Sequence, residues 1–522
     1  LRASLRPFPR LLPSADNTLA AKETESTMGN ITRIIATLGI AALSAACAST
    51  PYPAGYEASA GELVSSHNNR EFSLERKASG IGQATWVYAR SVYENPVNRP
   101  VSHAASLGSL AIKSTGGFLR RVVISTAQMP ALDGPIPAVS SAGPMDLPAF
   151  EQTLDRITGT RQDRGRISFL VDGDEYFGRL IESIDGAEES IDIRTYIFDN
   201  DDFAVAMADR LKARAEDIRV RVMVDSVGNL LAMQADPQSL PVDHEHPASM
   251  RMYLESESDV KVRNMTNPWF TGDHVKTTII DKKTAFVGGM NIGREYRYDW
   301  HDLMMEVSGP VVDQLQFESD KAWARGGLFG DFANALRFLQ GKKERADRDG
   351  YPVRVLQTRN FDSQIHKAQI AAIRNARSYI LIENAYFSDD RTIYELAQAR
   401  RRGVDVRVII PAAGNHGPLN ASNKVTINTL LEHGIRVYEY PGMSHVKAAV
   451  FDGWACVGSA NFDKLSLKIN KELNLATSHP ETVNALIDQV FIPDMMMSRE
   501  ITEPLPVTLT TRLAEIAVDE LL

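Results

Sequence analysis

His274-Val275-Lys276 is followed by Asp281, and 171 residues later His445-Val446-Lys447 is followed by Asp452. Each copy runs into a similar tail: Gly288-Gly289-Met290-Asn291 after the first, Gly458-Ser459-Ala460-Asn461 after the second. The residues that recur in register are polar or very small. A packed core has no need of His, Lys, Asp and Asn at fixed spacing; chemistry on an anionic group does. A lone His-x-Lys is ordinary in a half-buried strand, but two copies with matching tails are not.

The flanks repeat as well. Apolar spacing predicts a helix over 176–184, a strand over 190–198, a helix over 203–215 and a strand over 220–224. The order recurs as a helix over 370–376, a strand over 379–387, a helix over 391–402 and a strand over 404–410. Tyr196 and Arg221 in the first set match Tyr386 and Arg407 in the second. Alternating strands and helices predict an α/β fold with mixed, largely parallel sheets. A chain that makes one unit twice is expected to join the copies about a pseudo-twofold axis, motif facing motif. The motifs are read as strands, so that residues two apart, His and Lys, share a face.

A phosphodiester is anionic and resists attack. Its cleavage asks for a nucleophile, an acid for the leaving oxygen and cations for the charge on phosphorus. Two imidazoles can divide the first two tasks, and Lys276 and Lys447 supply charge. The glycines Gly288, Gly289 and Gly458 would let backbone amides approach a phosphate, with Asn291, Ser459 and Asn461 donating hydrogen bonds. The interval from Asp452 to Gly458 is one residue shorter than that from Asp281 to Gly288, a change that a turn can absorb.

On these motifs the chain, from about residue 165 to 500, resembles the phospholipase D superfamily. The stretch Gly288 to Tyr296 with Trp300-His301-Asp302, and Lys471-Glu472-Leu473-Asn474, are similar to bacterial cardiolipin synthase-like phosphatidyltransferases. The resemblance implies two tandem phospholipase D-like α/β units with the active site at their interface, and a phosphohistidine formed on His274 with His445 as general acid. It implies that Asp281 and Asp452 support the imidazoles by hydrogen bonding, that Glu472 and His301 are supporting residues, and that neither a cofactor nor a divalent metal is needed. The alternatives are a secreted phosphodiesterase or nuclease of the same superfamily, and a non-catalytic binding module. A net charge of −9 counts against nucleic acid as a partner. His244 and His246 lie in a polar, proline-bearing loop and are read as loop histidines rather than metal ligands.

The resulting division is an upstream and signal-like segment over 1–47, an extension with a proline-rich linker over 48–150, two units over 165–340 and 350–500, and a tail over 501–522. Met28 starts a stretch with Arg33, an apolar run over 34–46 and then Cys47. The run is shorter than the roughly 20 residues that span a bilayer, and reads as a secretory signal. Its end, Leu43-Ser44-Ala45-Ala46-Cys47, resembles a lipobox. Lipidation at Cys47 would tether the chain to the periplasmic side of the outer membrane, beside a phospholipid substrate. The alternatives are a periplasmic or a secreted protein. The second cysteine, Cys456, lies in an apolar run and is expected to be a buried small hydrophobe.

Overall fold

The computed structural model describes residues 89, 95–124, 132, 135–140, 142–508 without 233–235, 268–270, 343–348 and 415–416, and 511. The signal-like segment, Cys47 and most of the extension and tail lie outside the described residues.

Ahead of the sheet lie helices α1 (Pro100–Ile124) and α2 (Leu147–Thr158). The described part of the proline-rich stretch is anchored, not free. Ser140 N donates to Gly403 O at 2.7 Å and Met145 N donates to Asp452 Oδ2 at 2.9 Å. Helix α2 buries Phe150 and Leu154 and offers Glu151 and Asp155 to the fully buried Arg354.

The first half holds β1 (Asp163–Val171), α3 (Asp172–Asp185), β2 (Ser190–Thr195), α4 (Asp202–Ala215), β3 (Arg219–Asp225), β4 (Lys261–Met265), β5 (Thr277–Ile280), β6 (Thr284–Gly288) and β7 (Leu303–Ser308). Helices α5 (Val311–Arg325) and α6 (Gly330–Gln340) lead to the second half. That half holds β8 (Tyr351–Arg359), β9 (Asp362–Ser363), α7 (Gln364–Asn375), β10 (Tyr379–Asn384), α8 (Asp390–Arg401), β11 (Asp405–Pro411), β12 (Arg436–Tyr440), β13 (Lys447–Phe451), β14 (Trp454–Gly458), β15 (Glu472–Thr477) and β16 (Arg499–Ile501). The helices form where the apolar spacing predicts them: α3 buries Tyr176, Phe177, Leu180 and Ile184.

The strands form one 16-stranded sheet in the order β16-β12-β11-β10-β13-β14-β15-β8-β1-β7-β6-β5-β2-β3-β4, with β9 on β8. Read outward from the β8–β1 pair, the two arms match strand for strand up to β4 and β12, as a pseudo-twofold duplication requires, and β16 adds one further edge strand to the second arm. The sheet is mixed. Parallel pairs, however, are confined to β2–β3–β4 and β10–β11–β12. The expectation of largely parallel sheets holds only at these corners, because each motif runs into its tail through a hairpin, β5–β6 or β13–β14, and hairpins pair antiparallel. The shorter second interval is absorbed in that hairpin turn. Three residues separate Ile280 from its partner Thr284, and two, Asp452 and Gly453, separate Phe451 from Trp454. An apolar cluster with Val311 and Leu315 of α5 and Val353, Val355 and Leu475 of the second half packs the arms together.

Helix α6 leaves apolar side chains in solvent. Leu328, Phe329, Phe332, Leu336 and Leu339 are all exposed, Leu339 by 80%. From Phe329 onward their spacing of three and four residues puts them on one helical face.

Candidate active site

His274 and His445 lie just ahead of β5 and β13, in extended lead-ins rather than within the strands as expected. Each lead-in is held by the other half of the molecule. Asp273 bridges Lys471 and His301 bridges Ser444 in parallel fashion. His274 N donates to Lys471 O at 2.9 Å, and His445 N donates to His301 O at 2.7 Å. Lys276 Nζ returns to His274 O at 2.9 Å, and Lys447 Nζ makes the same bond to His445 O. His and Lys two residues apart therefore do share one side of the backbone.

The imidazoles take crossed carboxylates. Glu472, at the start of β15, lies 3.0 Å from His274 Nδ1, and Asp302, just before β7, lies 2.6 Å from His445 Nδ1. Glu472 thus has the supporting position that the sequence suggested. Asp302 stands out in the sequence only as the end of the stretch Trp300-His301-Asp302. The available signal was its equivalence to Glu472: each acid follows its own tail at a similar distance and serves the histidine of the opposite copy.

The tails make room for these acids. A side chain at Gly289 would put its Cβ 2.2 Å from Asp302 Oδ1. In the second copy Ser459 holds that place, and its Oγ donates to Glu472 Oε2 at 2.5 Å. Gly288 and Gly458 pass against the carbonyls of Leu303 and Leu473, 2.4 and 2.3 Å from where a Cβ would sit. The amides of Gly289 and Ser459 are committed to those same carbonyls, so they are not phosphate donors as expected. Asn291 Oδ1 accepts from Ile197 N and braces the end of β2, while the buried Asn461 Oδ1 meets no donor.

The two motif aspartates differ from expectation, for neither contacts an imidazole. Asp281 accepts from the amides of Glu188, Glu189 and Ser190, and Asp452 from those of Met145, Arg377, Ser378 and Tyr379. Both sit at positive φ, +51° and +49°, where Asp is among the better-tolerated residues. Each holds a hairpin turn against the chain entering the neighbouring strand, β2 or β10, and so fixes the site at one remove. His301 is likewise no direct partner of a motif imidazole. Its ring lies between Asp172 and Asp494. The loop histidines His244 and His246 both reach Asn200 O.

Electrostatically, burial disfavours charge of either sign in the site. Burial brings Lys276 down to about 7 and Lys447 to about 8. Burial, with the charge of Lys447, brings His445 to about 3, and burial with both lysines holds His274 well below its usual 6.5. Burial also raises Glu472 to about 8. Each cation is disfavoured until an anion enters, and a phosphodiester would supply that charge. The His274 side chain keeps 13% of its surface exposed and that of His445 8%. Tyr196 packs edge-on against His274, and Trp300 tilts against His445. Cys456 is buried, its thiol raised to about 12 by burial, as its apolar run implied.

A duplicated mixed sheet with two crossed His–carboxylate pairs at the junction of its arms defines the phospholipase D class of enzyme. The family model described as cardiolipin synthase, PLD-like domain, matches residues 180–323 and 369–494, more than half of the chain, and the chain belongs to that family. It is 27% identical over 364 residues to cardiolipin synthase A of Pseudomonas putida strain W619, covering 65% of this chain and 70% of that protein. It is 29% identical over 349 residues to the major cardiolipin synthase ClsA of Bacillus subtilis strain 168, covering 64% and 70%. The crystal structure of phosphatidylserine synthase from Haemophilus influenzae Rd KW20 shares the fold, with a TM-score of 0.56 at 14% identity over 72% of this chain and 99% of that one.

Proposed function

We propose that this chain is a phospholipid phosphatidyltransferase of the cardiolipin synthase kind, working through a phosphohistidine. The observation that carries the reading is the crossed arrangement. Each imidazole has Nδ1 on a carboxylate, which leaves Nε2 for chemistry, and each has a lysine two residues on. His274, the more exposed, attacks phosphorus through Nε2. His445, which takes up a proton on Nε2 as the anionic substrate enters beside it, delivers that proton to the oxygen of the departing alcohol as its bond to phosphorus breaks, and becomes neutral. An acceptor alcohol then gives its proton to His445, attacks phosphorus and breaks the P–N bond. Lys276 and Lys447 neutralise the phosphoryl oxygens, and Glu472 and Asp302 orient the rings.

Among the described residues no helix is long and apolar enough to cross a membrane. Lipidation at Cys47 would place the enzyme at its substrate, and the exposed apolar face of α6 supports contact with a bilayer. The test is lipid analysis after incubation with phosphatidylglycerol vesicles, with and without added glycerol. The reading expects cardiolipin, and its reversal by glycerol. Phosphatidic acid alone would make the enzyme a hydrolase. Cleavage of nucleic acid with no lipid turnover would replace the reading with a phosphodiesterase.

A further inference from the structure

Directly behind His445 lies a second polar cluster that the transfer chemistry does not use. His301, Glu383 and Asp494 bring one ligand atom each to within 4.8 Å of one another. Glu383 and Asp494 are 0% and 1% exposed. His301 Nε2 lies 3.0 Å from Asp494 Oδ2, and Ser444 Oγ donates to Glu383 Oε1 at 2.6 Å. Glu383 Oε2 is buried and meets no donor. Tyr440 stacks on the His301 ring at 4.8 Å and closes that side.

The duplication shows what is missing here. Lys471 and Asp273 occupy in the first copy the places of His301 and Ser444 in the second, since each pair forms the equivalent bridge. Around Asp273 the acid is well supplied with cations: Arg194 binds it through two nitrogens and Lys471 lies 3.6 Å away. In the second copy the acids are Glu383 and Asp494, and the base set among them is an imidazole. Two carboxylates buried together, with no donor for Glu383 Oε2, are stable only with a shared proton or a positive charge between them.

We propose that His301, Glu383 and Asp494 form a binding site for a divalent cation of the zinc class. One imidazole nitrogen and two carboxylates suit such an ion and bring its charge to zero. Bonds of about 2.0–2.2 Å would set tetrahedral ligands roughly 3.3–3.6 Å apart, within the spread that the three atoms already show. Asp172 Oδ1 lies 2.7 Å from His301 Nδ1. It would hold the proton there and leave Nε2 as the ligand, the usual carboxylate–histidine–metal order. The ion would touch no reacting atom. It would fix His301 and Ser444, whose chain neighbours are Asp302 and His445, and so act as a positioning centre. The phosphoryl chemistry itself would still run on the two lysines.

Full-length protein freed of metal by chelation would be titrated with zinc chloride. Bound zinc would be measured by mass spectrometry after gel filtration, and thermal stability would be followed in parallel. The proposal expects one zinc per chain and a raised Tm, both lost in Glu383→Gln and in Asp494→Asn. The amide introduced by Glu383→Gln can still donate to Asp494, so this variant should match the metal-free wild type in Tm, which separates lost binding from misfolding. Zinc bound equally by wild type and Glu383→Gln, or by neither, would overturn the proposal and leave a shared proton between the carboxylates. Because the readout is stoichiometry, it stands or falls separately from lipid turnover.

Discussion

The division of labour among the motif residues is the sharpest test of the site. His274→Ala and His445→Ala should each lower kcat by at least about 10³-fold, since loss of nucleophile or acid removes a whole step. Phosphate label trapped from substrate should map to His274; label on His445 would reverse the assignment. Asp302→Asn and Glu472→Gln should lower kcat with little change in stability, because each keeps its shape beside an imidazole. Asp281→Asn and Asp452→Asn should do the opposite. Each carboxylate accepts three or more backbone N–H bonds, and an amide offers one oxygen. The cost expected is about 1–3 kcal/mol in denaturant unfolding, with kcat of the folded fraction within a few-fold of wild type. A selective loss of kcat in Asp281→Asn would restore the aspartate to the catalytic centre. The pH profile follows from the same burial. The attacking imidazole must be neutral, and burial with both lysines holds His274 well below 6.5, so it stays neutral to lower pH than a free histidine. The acid limb of kcat/KM, which reports the free enzyme, should therefore fall below pH 6. A limb centred at 6.5 or above would show that the rings are not desolvated as the structure has them.

At the level of elements, the repeat read from sequence is the repeat of the fold: β2 and β10, α4 and α8, and β3 and β11 all form close to the predicted positions. The helix and strand periods were strong there because each element buries one side or both. What the sequence did not disclose was pairing across the copies. Antiparallel hairpins carry no stronger local pattern than parallel strands, so sheet direction was misjudged. Likewise, nothing local says that Glu472 serves His274 and Asp302 serves His445, because those contacts join residues 198 and 143 apart. Equally hidden was the work of Gly289, which looks like a phosphate-binding glycine and is instead the space that Asp302 fills. Gly289→Ala should push that carboxylate off His445 and lower kcat by about tenfold or more, since a displaced orienting group costs roughly 1.4 kcal/mol per factor of ten. Ser459→Ala, at the equivalent place, only removes a hydroxyl and should cost less. Steady-state kinetics of the two variants would decide it, and equal losses would mean that Asp302 relaxes freely.

For the whole molecule, the open matter is how a chain whose described helices cannot span a bilayer meets a lipid. Two routes suit it, and they are separable. Lipidation at Cys47 would tether the chain wherever the rest of it faces. The face of α6 would instead orient it, because Phe329, Phe332, Leu336 and Leu339 are exposed together while Asp331 is committed to the start of α1 and Arg337 to Asp320. Each large apolar side chain entering the interface gains about 1.5–3 kcal/mol at full burial. Two of them replaced by charge should therefore cost well over tenfold in binding. The experiment belongs in a Cys47→Ser background, where no acyl chain masks the effect. There, co-sedimentation with phosphatidylglycerol vesicles should persist at reduced strength and be lost in Phe332→Asp/Leu336→Asp, while turnover of a monomeric short-chain substrate stays within a few-fold. Unchanged sedimentation of the double variant would mean that α6 does not meet the bilayer.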